Sequence, residues 1–249
     1  MIKMYNIKTI FSPALYSFVK HEENFACIVV DVLRATTTMC TIIQHGGQII
    51  PVASLDTARE YKERGFLVAC ERIEKKIDFA DYGNSALNFI NADIKGKTIV
   101  HTTTNGTQAI ELAKSSSAKE ILIGAFSNLN SLGEYLKTSE MNVEILCSGW
   151  KNTFCLEDSL FAGALAELLL QETDNHGNNI FECKDDATFA AIDLWDKAKK
   201  DLQGYLEKAS HIHRLRKAHF DDVFDYTFTL NTCRSVPVLK ENQLVNAVD

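Results

Sequence analysis

Two runs of three threonines, Thr36-Thr37-Thr38 and Thr102-Thr103-Thr104, each follow an apolar strand-like segment (Phe25 to Asp31 and Lys97 to His101) and precede a helix-like one. A helix start offers unpaired backbone N–H groups and the positive end of its dipole, and small hydroxyl side chains add donors without blocking an oxyanion. The spacing therefore suits a phosphate or similar oxyanion held between two loops. Acidic residues gather at matching positions: Asp31 with Arg34 closes the first segment, Glu71 with Arg72 follows Phe66 to Cys70, and Glu157-Asp158 opens the apolar run Leu160 to Ala166. Carboxylates beside an oxyanion repel it unless a divalent cation intervenes. Magnesium suits such a place, because it takes hard oxygen ligands, keeps waters and bridges carboxylate to phosphate.

Each feature has a plainer reading. Asp31 and the threonines could be helix caps, Glu71 and Arg72 a solvated pair, Asn105-Gly106 a tight turn, and Glu157-Asp158 a preference of the helix dipole. Their shared position, with Ser127-Asn128 and Ser148-Gly149, after successive predicted strands favours a site, since open α/β sheets bind ligands at that edge.

The elements that must position these residues can be read from periodicity. Apolar, β-branched runs recur at Phe25 to Asp31, Gln48 to Val52, Phe66 to Cys70, Lys97 to His101, Glu120 to Ala125 and Val143 to Cys147. Helix-length segments separate them, among them Thr36 to His45, ended by Gly46-Gly47, and Leu55 to Arg64, opened by Ser54. Uniformly apolar strands with helical crossovers predict a layered α/β/α fold with a mostly parallel sheet and its ligand site at the C-terminal strand edge. The second half is predicted to be helix-rich, with long helices over Leu156 to Glu172 and Asp185 to Leu206, a further helix from His211 to Phe220, and closing strands at Val236 to Leu239 and Gln243 to Val245. The expectation is one α/β domain over 1–249, with 1–150 and 151–249 as its sub-lobes if the helical half separates.

The 249 residues carry a formal charge of −7, and 46% are apolar. That balance fits a globular chain and argues against nucleic acid as a partner. No stretch reads as a membrane span or a leader, and the seven cysteines include no C-x-x-C pair, so a reducing, cytoplasmic location without membrane attachment is the default expectation. A homo-oligomer is compatible with the sequence but not readable from it.

Other motifs mislead. Gly96-Lys97-Thr98 mimics the end of a P-loop but precedes a strand. Asp31-Val32-Leu33-Arg34 resembles the nucleophile loop of haloacid dehalogenase-type phosphatases, yet Leu33 stands in place of their second aspartate. His211, His213 and His219 share a basic stretch with Arg214, Arg216 and Lys217, which reads as a solvated helix face; Trp150 and Trp195 read as packing residues.

The segments Val30-Asp31-Val32-Leu33-Arg34-Ala35-Thr36-Thr37-Thr38, Tyr82-Gly83-Asn84-Ser85, Thr102-Thr103-Thr104-Asn105-Gly106-Thr107, Ser127-Asn128-Leu129 and Leu156-Glu157-Asp158 with Ala162-Gly163-Ala164 resemble the 2-phosphosulfolactate phosphatase (ComB) family, in the family's order. The resemblance implies a magnesium-dependent hydrolase of the phosphate ester of a 2-hydroxy acid, acting at the step that gives sulfolactate in coenzyme M biosynthesis. Residues and resemblance together make Asp31, Glu157 and Asp158 the expected metal ligands, and Asp31, Arg34 and Glu71 the expected catalytic groups. Thr36, Thr37, Asn84, Thr103, Thr104, Asn105, Gly106, Thr107, Ser127 and Asn128 are the expected contacts to a small anionic phosphoester. The alternatives are a module that binds a phosphorylated or sulfonated metabolite without turnover, and a phosphatase for a different small ester. The second is favoured by departures from the family pattern at Cys70, Ala86 and Trp150 to Thr153.

Overall fold

The computed structural model describes residues 4–71 and 77–248; Arg72, grouped above with Glu71, lies outside the described residues. Among the described residues the strands are β1 (Tyr5–Ile10), β2 (Phe25–Val30), β3 (Gln48–Pro51), β4 (Leu67–Cys70), β5 (Tyr82–Gly83), β6 (Thr98–Thr102), β7 (Glu120–Gly124), β8 (Asn142–Cys147), β9 (Phe181–Cys183), β10 (Pro237–Lys240) and β11 (Gln243–Asn246). They form one sheet in the order β5-β4-β6-β3-β11-β10-β7-β2-β8-β1-β9.

Two parallel blocks make up this sheet. One joins β5, β4, β6 and β3, the other β7, β2, β8, β1 and β9. The hairpin of β10 and β11 stands between them, antiparallel to its neighbours through Val238 against Leu122 and Leu244 against Ile49. The closing strands expected at the C-terminus thus lie in the middle of the sheet. β1, β5 and β9 were not expected: β5 has two residues and β9 three, too short for a period-2 pattern, while β1 lies ahead of the first apolar run.

The helices are α1 (Pro13–Tyr16), α2 (Ala35–Gln44), α3 (Leu55–Glu63), α4 (Gly106–Lys114), α5 (Leu129–Ser139), α6 (Leu156–Leu170), α7 (Asp186–Ala198), α8 (Leu202–Leu206), α9 (Ser210–Lys217) and α10 (Phe224–Phe228). The single helix expected over Asp185 to Leu206 is two. Asp185 caps the first through the Thr188 N–H, and Asp201 caps the second through the Gly204 N–H, a local bond that competes with helix continuation. No helix among the described residues is long and apolar enough to cross a membrane.

Helices cover both faces of the sheet. Successive residues of β2 point to opposite sides, so Ala26, Ile28 and Val30 pack with α5, α6 and α7 while Phe25, Cys27 and Val29 pack with α2 and α4. Ile49 of β3, Ala69 of β4 and Ile99 of β6 join that second core, which therefore reaches both parallel blocks. α2 is buried from Ala35 to Ile43. A helix apolar or hydroxyl-bearing on every side belongs inside, and here it carries the loop after β2 into the centre of the molecule. α6 is likewise buried from Glu157 to Ala166, which sets its two leading carboxylates in the interior.

Candidate active site

The loop after β2 is closed by its own threonines. The Asp31 N–H donates to Thr36 Oγ1 at 3.1 Å, the Thr36 N–H to the Asp31 carbonyl at 2.8 Å, and Thr37 Oγ1 to the Val32 carbonyl at 2.9 Å. Thr36 and Thr37, expected as substrate contacts, thus use their hydroxyls to shape the turn. Asp31 is held with its Oδ1 accepting the Ala35 N–H at 3.4 Å, and the Leu33–Arg34 peptide is cis.

Asp158 braces this loop against the one after β8. Its Oδ1 accepts the Val32 N–H at 2.9 Å and its Oδ2 the Gly149 N–H at 3.0 Å. Gly149 has φ +60°, and a β-carbon there would lie 2.0 Å from the Thr153 carbonyl oxygen, so only glycine serves. The next loop is tied in at Asn105, whose Oδ1 accepts the Lys151 N–H at 3.2 Å.

The second threonine run ends in the N-terminus of α4. Thr103 and Thr107 bond reciprocally: Thr107 N–H donates to Thr103 Oγ1 at 3.1 Å and Thr107 Oγ1 to the Thr103 carbonyl at 2.9 Å. Gly106 opens α4 directly against Asp31, so the positive end of the helix faces that carboxylate. Thr104 is half-buried at the rim of this loop.

Asp31, Glu71, Glu157 and Asp158 are 5%, 5%, 1% and 2% exposed, so water does little to screen their charges. Burial pushes the Asp31 carboxyl well above the usual carboxylate range, and the charges of Asp158 and Glu71 push it further, against a pull from His211. Asp158 is raised by burial and by Glu157. The Cys155 thiol is driven up by burial and then by Asp158, Glu157 and Asp31. The Asp158 bond to the Val32 N–H brings the loops after β2 and β8 together, and both carry buried acids there.

His211 is not on a solvated face. α9 turns His211, Ile212 and Leu215 inward and leaves His213, Arg216 and Lys217 outside. His211 Nδ1 meets Glu157 Oε1 at 2.6 Å, and ligand atoms of Cys155, Glu157 and His211 lie within 4.8 Å of one another. Glu157 Oε2 and His211 Nε2 have no partner among the described residues. The basic neighbours masked this signal; Ile212 and Leu215, spaced three apart beside His211, were the available clue. Trp150 lies 5.5 Å from His211, with Arg214 4.4 Å above its ring, and Trp195 is buried in the core.

Arg34 crosses to the loop after β4. Its Nη2 donates to Glu71 Oε1 at 3.3 Å, while Phe220 stacks 4.4 Å from the guanidinium. Both side chains line a 540 Å³ pocket with Tyr82, Asn84 and Phe220. Asn84 is 2% exposed, and its Oδ1 meets His101 Nε2 at 3.0 Å. Two other expected contacts are placed differently. Asn128 accepts the Ala125 N–H and donates to the Ile123 and Ser235 carbonyls, so it fastens the chain leading into α5; Ser127 is fully buried with Oγ unpartnered among the described residues.

Comparison with known proteins gives a single answer. The family model described as 2-phosphosulpholactate phosphatase matches residues 11–242. Three relatives, each named probable 2-phosphosulfolactate phosphatase, cover most of the chain. The protein of Caldanaerobacter subterraneus subsp. tengcongensis is 33% identical over 86% of this chain and 87% of its own; that of Thermotoga maritima is 35% identical over 85% and 88%. The protein of Prochlorococcus marinus is 37% identical over 86% and 88%.

Proposed function

This chain belongs to the 2-phosphosulfolactate phosphatase family, a family of phosphoric monoester hydrolases, and from that premise we propose that it cleaves 2-phosphosulfolactate to sulfolactate and phosphate with magnesium as its cofactor. The observation that carries the reading is the Val32 N–H bond to Asp158, which sets the loop of Asp31 against the start of α6, with Gly106 at the start of α4 packed on Asp31.

The carboxylates, as hard oxygen donors, would suit magnesium. Like charges crowd together with little solvent, and Glu157 Oε2 is a buried oxygen that lacks a partner among the described residues. Asp31 and Glu157 would hold the ion; Asp158, with both oxygens accepting backbone N–H bonds, would fix the two loops and add negative charge. When bound, the ion would acidify a coordinated water and polarise the phosphoryl group.

The chain's own groups do the rest. Backbone N–H groups at the start of α4, with Thr103, Thr104 and Asn105, would receive phosphoryl oxygens, while Thr107, whose N–H and hydroxyl are both donated to Thr103, shapes the turn, and Gly106 lets Asp31 pack against the helix end. Arg34 would meet negative charge on the bound ester, with Glu71 and Phe220 holding the guanidinium in place from two sides. Glu71 would also exchange a proton with the substrate.

Phosphate release from esters of 2-hydroxy acids and from generic phosphomonoesters, each with magnesium and with chelator, tests the proposal. Magnesium-dependent release that favours the 2-hydroxy acid esters is the expected result. Equal release in chelator would remove the ion from the account, and stoichiometric binding without release would make the chain a binding module.

A further inference from the structure

The pocket beside Arg34 holds two buried donors that lack an acceptor among the described residues. Arg34 is 5% exposed and Asn84 2%, and both line the pocket. Arg34 Nε and Asn84 Nδ2 have no hydrogen-bond partner among the described residues. A buried donor left unpaired keeps the full penalty of its lost hydration, so two in one pocket call for a ligand that brings acceptors.

Among the described residues the pocket is lined by Arg34 and His219 against Glu71, Asp81 and Asp222, so an excess of positive charge does not explain it. Glu71 offsets the Arg34 guanidinium, and Asp81 is engaged by Lys62 at 2.6 Å and by the Val68 N–H at 2.8 Å. Selection here must come from directed donors instead. The direction of one of them is fixed from behind by His101, a fully buried residue of β6. Burial pushes its imidazole down to about 3, so the ring stays neutral and only one nitrogen carries a proton. With that proton on Nε2, facing Asn84 Oδ1, the amide NH2 is turned away from His101. His101 Nδ1 has no partner among the described residues, which leaves Asn84 as the ring's polar contact there.

We propose that Arg34 Nε and Asn84 Nδ2 form a subsite for the second oxyanion of the substrate, the carboxylate or sulfonate remote from the phosphate, and that His101 is the positioning residue that sets the Asn84 amide. This inference rests on the proposed substrate class. It adds a group that never touches the ligand and a distinct place for the end that a generic phosphomonoester lacks.

Calorimetric binding of sulfolactate, the dephosphorylated product, tests the subsite without turnover. His101→Phe keeps a ring of similar volume but loses the N–H, and should weaken sulfolactate binding about tenfold; His101→Gln restores a donor and should recover most of it. Asn84→Asp turns an acceptor toward the anion and should abolish binding. Lactate, which has the carboxylate alone, tells the ends apart: sensitivity to His101→Phe with lactate assigns the carboxylate, and sensitivity with sulfolactate only assigns the sulfonate. In turnover, the ratio of kcat/KM for 2-phosphosulfolactate over phenyl phosphate should fall about tenfold in His101→Phe, mainly through KM. Wild-type binding in folded Asn84→Asp would overturn the subsite, and wild-type binding in folded His101→Phe would overturn the role of His101, whatever the enzyme turns over. Absence of turnover in the wild type, with these binding losses intact, would instead sink the proposed function alone.

Discussion

Asp31 and Gly106 are packed against each other so closely that a β-carbon on the glycine would stand 2.9 Å from Asp31 Oδ2 and 2.7 Å from the Ala35 β-carbon. This contact joins the two threonine loops, and it sets the acid at the mouth of a helix. Gly106→Ala forces one of the buried loops to move, and overpacking of this kind costs about 1–3 kcal/mol. A lowered denaturation midpoint together with a reduced kcat is expected; unchanged values for both would mean that the loops yield freely.

Burial, and then the charges of Asp158 and Glu71, hold Asp31 at an energetic disadvantage. Its folded pKa lies above the unfolded value, so this group favours folding below about pH 4 and opposes it increasingly as pH rises through the folded value. Asp31→Asn should therefore raise stability at pH 7 by about 1 kcal/mol, or about 2–4 °C in Tm for a chain of this size, with no gain near pH 3. Thermal melts of both proteins without magnesium at the two pH values give the comparison.

Asp158 acts as a brace through two backbone bonds. In Asp158→Asn one amide nitrogen would face an N–H of Val32 or Gly149, and a buried donor without an acceptor costs about 1–3 kcal/mol. Loss of stability and faster hydrogen exchange at Val32 and Gly149 are expected. Exchange unchanged at both amides would show that the bonds do not hold the loops.

His101 carries a separate pH signature. Its folded value of about 3 lies below the unfolded 6.5, so the unfolded chain takes up the proton first, and stability is lost as pH falls from 6.5 toward 3. His101→Gln should flatten that part of a stability-against-pH curve measured with urea, while an identical slope would place the proton elsewhere.

The parts legible in the sequence were those set by local pattern. The apolar runs from Phe25, Gln48, Glu120 and Asn142 are strands because both faces of the sheet are covered, and periodicity reports that cover directly. Asp31, Arg34, Glu71, Glu157 and Asp158 stand out in the sequence because acids and an arginine after successive strands have few structural reasons to recur, and the structure buries all five. What the sequence could not convey was long-range. The hairpin of β10 and β11 enters the middle of the sheet through single pairings with distant strands, and no local period encodes that choice. His211 reaches Glu157 from 54 residues away, and Phe220 reaches Arg34 from the far end of the chain. Thr36, Thr37 and Asn128 show the converse, since their hydroxyls and amide shape their own turns.

The most direct test is phosphate release from 2-phosphosulfolactate by the wild type and by Asp31→Asn, each with magnesium and with chelator, circular dichroism confirming that both are folded. The account predicts release by the wild type only with magnesium, and a loss of at least about a hundredfold to a thousandfold in the variant. Turnover by folded Asp31→Asn at close to the wild-type rate would contradict it.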